Sequence, residues 1–239
     1  GFSQSNIYAT IITKKKGFFN LKESWVMRKY DAVFFDLDGT LSESGEGILW
    51  CVRRTIEDLK IVVPENFRLE SFIGPPLADS FYRLGLDDEK VKFGVKTYKS
   101  YYDTKGKYMN KAYDGIKELL ERLREKGYKL GVATSKYELF ARQIIDNIGL
   151  LQYFDFVSGA TANAERQKKI DVLNYGIKNL GATPENSALI GDTKFDAEGA
   201  RLCGCGFVGV LYGYGTRKEM EAEGAVNFAE TAGEIEKFL

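Results

Sequence analysis

Two carboxylates, Asp36 and Asp38, come directly after a run of four apolar residues, Ala32 to Phe35. Residues i and i+2 of a strand face the same side, so the pair converges on one point where the strand ends. Like charges held that close are costly unless a cation or a shared proton intervenes. Gly39 then frees the backbone to turn, and Thr40 adds a hydroxyl beside it. A solvated strand end with an Asp-Gly turn is the ordinary explanation of a bare Asp-x-Asp. The apolar run in front, and the whole string Asp36-Leu37-Asp38-Gly39-Thr40-Leu41, favour a site instead.

Composition narrows the chemistry. The chain has 239 residues, 44% hydrophobic and 28% charged, as expected of one good core or a core with a smaller insertion. Lys plus Arg equals Asp plus Glu at 34 each, which leaves no basic field for a nucleic-acid polymer and no polybasic membrane patch. No apolar run approaches the roughly 18 residues of a membrane helix. Three cysteines (Cys51, Cys203 and Cys205) are too few for a disulfide framework and fit a reducing, cytoplasmic setting. The count of zero histidines removes Ser-His and Cys-His nucleophile pairs and the usual histidine metal sites. Chemistry here rests on carboxylates, hydroxyls, lysine and a hard cation that prefers oxygen ligands.

The elements that would position such groups can be read from periodicity. Residues 1–26 do not match the register of the chain beyond them and are expected to lie outside the core, with Met27 as a natural start. Ile48, Val52, Ile56 and Leu59 recur at helical spacing, predicting a helix over Gly45 to Ile61 that Pro64 closes. Two more helical stretches, 77–84 and 88–103, come after a stiff Gly74-Pro75-Pro76 loop, and no strand pattern interrupts residues 45–110. From Asp114 the rhythm alternates. Strands are predicted at Lys129 to Thr134, Phe154 to Ser158, Ala188 to Ile190 and Phe207 to Leu211, with helices at Ile116 to Leu123, Glu138 to Asn147, Ile170 to Leu180 and from Asp192 through Leu202. Such alternation argues for an α/β fold with a doubly wound parallel sheet. In these sheets ligands bind outside the carboxyl ends of the strands.

Polar residues just after each strand are therefore the candidates. They are Asp36 and Asp38, Thr134 and Ser135, Lys168 or Lys169, and Asp192 with Asp196. Each has an ordinary alternative: the hydroxyls as helix caps, the lysines as a solvated face, Asp196 as a complement to a helix N-terminus. Taken jointly they place four carboxylates, a hydroxyl and an ammonium at one sheet edge. That excess of negative charge calls for a divalent cation, and Mg²⁺ prefers carboxylate and water oxygens. With a lysine and a hydroxyl to hold an anion, phosphoryl transfer is the natural chemistry.

The set Asp36-Leu37-Asp38-Gly39-Thr40-Leu41, Val132-Ala133-Thr134-Ser135-Lys136, a lysine before a helix, and Ile190-Gly191-Asp192-Thr193-Lys194-Phe195-Asp196 resembles the four motifs of haloacid dehalogenase-like phosphohydrolases. The resemblance runs from about Met27 to Leu239. The helical insertion after the first motif is similar to the subfamily with a small α-helical cap. The stretches Phe72 to Leu77 and Gly209 to Gly215 resemble the phosphoglycolate-phosphatase and 5′-nucleotidase-like branch. One departure is Glu43, where relatives usually carry Asp.

The resemblance implies a catalytic core of residues 27–44 and 111–239 and a helical cap of residues 45–110. It implies that Asp36 attacks phosphorus to form an aspartyl phosphate, and that Asp38 protonates the leaving alkoxide and then activates water. Thr134 would bind the phosphoryl oxygens, and Lys169, favoured by its spacing from Arg166 and Asp171, would neutralise them. Asp36, Asp192 and the backbone carbonyl of Asp38 would hold Mg²⁺, with Asp196 as a further ligand or close by. Thr40, Ser135, Gly74 and Arg83 complete the expected substrate-binding set. The expected substrate is a small phosphomonoester, with phosphoglycolate and 5′-nucleotides both open, and the enzyme a monomer or homodimer. A phosphomutase of the same family, a receiver domain and a non-catalytic binding protein are the rivals. A receiver is about half this length, and a non-catalytic relative would be expected to have lost Asp38 or Asp192.

Overall fold

The computed structural model describes residues 28–163 and 165–239, so the expectations for residues 1–26 and Met27 lie outside the described residues. In chain order the regular elements are β1 (Ala32–Phe35), β2 (Ser42–Glu43), α1 (Gly45–Asp58), α2 (Leu77–Arg83), α3 (Asp88–Thr104), β3 (Lys111–Ala112), α4 (Ile116–Glu125) and β4 (Lys129–Tyr137). They continue with α5 (Glu138–Asn147), β5 (Phe156–Ala160), α6 (Lys169–Asn179), β6 (Ser187–Gly191), α7 (Lys194–Cys203), β7 (Gly206–Val210), α8 (Arg217–Ala222) and β8 (Phe228–Ala229).

Six strands form one parallel sheet in the order β5-β4-β1-β6-β7-β8. The chain builds outward from β1 on one side, then crosses through α6 to β6 on the other. Asp36 and Asp38 therefore sit at a switch point, where such sheets bind ligands. β1 is buried on both faces, which is why it reads as a continuous apolar run rather than an alternation. Ala32 and Phe34 pack with Val172, Leu173, Ile177 and Ala200 of α6 and α7. Val33 and Phe35 belong to the opposite core, with Leu119 and Leu123 of α4 and Ile144 of α5. Helices thus cover both faces, as the alternating pattern predicts.

Between β2 and β3 the described chain is helical and contains no strand. The two crossings into and out of this insertion pair as a short antiparallel ribbon, Ser42 opposite Ala112 and Glu43 opposite Lys111. A 2.8 Å ion pair links Lys111 to Glu43 across it.

Several boundaries differ from the sequence reading. α1 stops at Asp58 instead of Ile61, because Lys60 takes a left-handed φ of 51° that ends the helix before Pro64 is reached. β4 runs past Thr134 to Tyr137, with a register irregularity between Ala133 and Tyr137 that re-aims the side chains there. The ribbon and β8 are two-residue strands, too short to carry a periodic signal. Among the described residues, no helix is long and apolar enough to cross a membrane.

Candidate active site

The site is built from the carboxyl ends of β1, β4 and β6 and the first turns of α6 and α7. Asp36 directly follows β1 and is almost fully buried. Lys169 opens α6, and its Nζ lies 2.7 Å from Asp36 Oδ1 and 2.7 Å from Asp196 Oδ1. The same ammonium donates to the Ala133 carbonyl at 2.9 Å. At 2.7 Å the two carboxylate contacts are close, buried ion pairs. Lys168, one residue earlier, is exposed at the N-cap of α6. Lys169→Ala is therefore expected to remove at least ~10²-fold of turnover, the usual size for one group acting in the transition state. Lys168→Ala should stay close to wild type. A larger loss at Lys168 in steady-state assays would mean that the wrong lysine has been assigned.

Asp192 comes after β6 and is fully buried. Its Oδ2 accepts from the Tyr214 backbone N–H at 2.8 Å, and its Oδ1 from the Thr40 hydroxyl at 3.1 Å. The turn after β1 approaches it so closely that a Cβ on Gly39 would meet Asp192 Oδ2 at 2.1 Å. With φ at +86° as well, only glycine fits there. Asp196 serves two masters. Its Oδ2 accepts from the Thr193 backbone N–H and hydroxyl, capping α7, while Oδ1 faces Lys169.

Asp36, Asp192 and Asp196 each bring one oxygen within 4.8 Å of the others, all three buried. Three carboxylates against the one Lys169 ammonium leave a formal charge of −2. Burial pushes Asp36 up to about 7, with Asp196 and Asp38 adding to the rise and Lys169 opposing it. Asp192 is driven well above the usual carboxylate range, first by burial and then by Asp196 and Asp36. On Lys169, burial is the largest influence and favours the neutral amine, but Asp196 and Asp36 outweigh it and keep the ammonium. A hard divalent cation relieves this crowding, and an all-oxygen donor set suits Mg²⁺. The residues fit that ion.

Asp38 stands apart from the cluster. Its Oδ2 forms a 2.9 Å ion pair with Lys136 Nζ, so its carboxylate is not a metal ligand here and only its backbone carbonyl remains for that role. Its Oδ1 is buried without a partner. Asp36 and Asp38 line a cavity of about 270 Å³ between the sheet edge and the helical insertion. Thr134, Ser135, Lys136, Tyr137 and Gln167 line it from the core, and Phe72, Gly74, Tyr98, Lys99 and Tyr102 from the insertion. Gly74 also seats the insertion on the core, lying against Thr193 at the start of α7.

Two expected substrate contacts fall elsewhere. Arg83 is exposed on α2, where its guanidinium donates to the Ser71 carbonyl at 2.6 Å and the Ser80 hydroxyl at 2.9 Å. It ties the insertion together and does not line the cavity. Thr40 points its hydroxyl at Asp192 and supports that carboxylate rather than a substrate. Sequence reasoning assigns no role to Lys136, Lys99 or Gln167. The only signal for Lys136 is its place directly after Thr134 and Ser135.

The model of the haloacid dehalogenase-like hydrolase family matches residues 33–210. A tyrosine-protein kinase named PtkA from Mycobacterium tuberculosis is 37% identical over 183 residues, 77% of this chain. The chain spans 62% of that relative's length. A protein named 5′-nucleotidase from Pseudomonas aeruginosa is 34% identical over 212 residues, 88% of this chain and 96% of that one. Among solved structures, a predicted phosphatase from Clostridium acetobutylicum superposes with a TM-score of 0.84 at 35% identity, covering 88% of this chain and 98% of that one. The buried carboxylates at the β1 and β6 ends, the match over most of the sheet and the shared fold lead to one assignment: the chain belongs to the haloacid dehalogenase-like hydrolase family.

Proposed function

We propose that this protein is a phosphomonoester hydrolase that works through an aspartyl phosphate on Asp36 and needs Mg²⁺. The observation that carries the reading is the pair of β1-end carboxylates with different partners. Asp36 is locked by Lys169 beside Asp192 and Asp196, and Asp38 is paired with Lys136 at the cavity wall. Asp36 attacks phosphorus, forming a carboxylate–phosphorus bond as the bond to the leaving oxygen breaks. Asp38, in its protonated form, delivers that proton to the leaving oxygen and is left as the carboxylate paired with Lys136. It then takes a proton from water, which attacks the acyl phosphate, frees Asp36 and releases inorganic phosphate. Thr134 and Lys169 hold the phosphoryl oxygens. Asp36, Asp192 and the Asp38 carbonyl, with Asp196 alongside, would hold Mg²⁺, which would screen the charge between carboxylate and phosphate. Turnover of a panel of small phosphomonoesters with Mg²⁺ and with excess EDTA tests this. Undiminished activity in EDTA contradicts the metal requirement.

The cavity volume and its cover of helical insertion favour small substrates over polymers. Among the described residues, no carboxylate lies within ion-pair distance of Lys99, which sits 5.6 Å from the Tyr137 ring centroid. Lys99 replaces Arg83 as the cation for a second anionic group on the leaving side, such as the carboxylate of phosphoglycolate. Lys99→Ala is expected to raise KM for phosphoglycolate about tenfold at little cost in kcat, the loss of one charge contact. The same variant should leave a neutral alkyl phosphate unaffected. An equal rise in KM for both esters counts against that assignment. The aromatic lining from Phe72, Tyr98 and Tyr102 suits a nucleoside equally, so 5′-nucleotides stand beside phosphoglycolate.

A further inference from the structure

One of the contacts across the cavity joins the helical insertion to the acid itself. Lys136 Nζ lies 2.9 Å from Asp38 Oδ2 and donates to the Tyr102 hydroxyl at 2.9 Å. The ammonium also sits over the Tyr102 ring, 4.3 Å from its centroid. Lys136 belongs to the irregular end of β4, whereas Tyr102 comes from α3 of the insertion. Tyr102 is 1% exposed and stacks on Tyr98 at 5.5 Å with the rings nearly parallel, so its position is fixed by packing. Burial, the largest influence on Lys136, favours the neutral amine, yet Asp38 and Tyr102 outweigh it and keep the ammonium charged. The outcome at Asp38 is asymmetric. One carboxylate oxygen is held by Lys136, and the other is buried without a hydrogen-bond partner.

We propose that Tyr102 is a positioning residue that acts through Lys136 to fix the orientation of the Asp38 carboxylate toward the leaving group, so that acid catalysis is assembled only when the insertion is seated on the core. This rests on the phosphatase reading above, in which Asp38 protonates the leaving oxygen. Without Tyr102, Lys136 keeps its charge but loses the contact that aims it, and the Asp38 carboxylate loses its fixed orientation. The nucleophile is untouched, because Asp36 is held by Lys169 on a different element.

The distinguishing readout is the dependence on leaving group. An alkyl phosphate must be protonated as its P–O bond breaks, whereas p-nitrophenolate leaves as a stable anion and needs little help. The value of kcat/KM reports the first irreversible step, formation of the acyl phosphate. With Mg²⁺ present, Tyr102→Phe is expected to lower kcat/KM on an alkyl phosphate by ~10-fold or more relative to its effect on p-nitrophenyl phosphate, and Lys136→Met by ~10²-fold, within the range of one general acid. Thermal unfolding of each variant, alongside wild type, reports whether the fold is intact. Equal losses on the two esters in a folded variant would overturn the proposal, since they are the mark of a phosphate ligand or a packing role. Unchanged kcat/KM on both would overturn it as well. Failure of the underlying reading shows up separately, as turnover of p-nitrophenyl phosphate by Asp36→Asn.

Discussion

Asp36→Asn is expected to lower phosphomonoester turnover by on the order of 10⁴-fold or more, on good and poor leaving groups alike. The amide keeps the size of the side chain and removes the anionic oxygen that would bond to phosphorus. It also removes one of the carboxylates that crowd the −2 cluster, so the folded state should not suffer. Asp36 is raised to about 7, chiefly by burial, which means its charge is held in the fold at a cost. A neutral replacement relieves part of that cost. The combination of lost activity with retained or raised thermal stability separates a chemical role from a structural one. Loss of both together would point to Asp36 as a structural partner of Lys169.

Asp38→Asn is expected to divide the reaction. On an alkyl phosphate, kcat/KM should fall by ~10²- to 10⁴-fold, since no acid protonates the leaving oxygen. On p-nitrophenyl phosphate the first step should survive, and the phospho-enzyme should accumulate because no base activates the water. A burst of nitrophenolate before a slow steady state is the kinetic sign. The amide also leaves Lys136 as a buried ammonium without its carboxylate, so some stability is expected to be lost here, in contrast to Asp36→Asn. Equal loss on both esters with no burst would remove the acid role from Asp38.

Much of this arrangement is legible in local sequence. A four-residue apolar run with two carboxylates behind it describes β1 and its end because β1 is buried on both faces. Lys169 can be chosen over Lys168 because its spacing from Arg166 and Asp171 is the one the family resemblance implies, and the structure places only Lys169 among the carboxylates. What is not legible depends on contacts between distant segments. Thr40 reaches Asp192 across 152 positions, and Tyr102 reaches Lys136 across 34. No spacing rule connects such pairs. Arg83 is a nearby cation along the chain, but its guanidinium is satisfied by Ser71 and Ser80 on its own side of the insertion. Lys99, on the next helix, lines the cavity instead. The aromatic residues of α3 show why a choice between core and binding wall is ill-posed. Tyr98 and Tyr102 are both buried in the core and both part of the cavity wall.

The most direct test of the central claim is to locate the phosphoryl group on the chain. Asp38→Asn would be mixed with p-nitrophenyl phosphate and Mg²⁺, quenched in acid within the burst, digested and mapped by mass spectrometry. The account predicts a single phosphoryl group on Asp36, near-stoichiometric with enzyme and released by hydroxylamine as an acyl phosphate should be. A burst with no phosphorylated Asp36, or with the group on another residue, would contradict it.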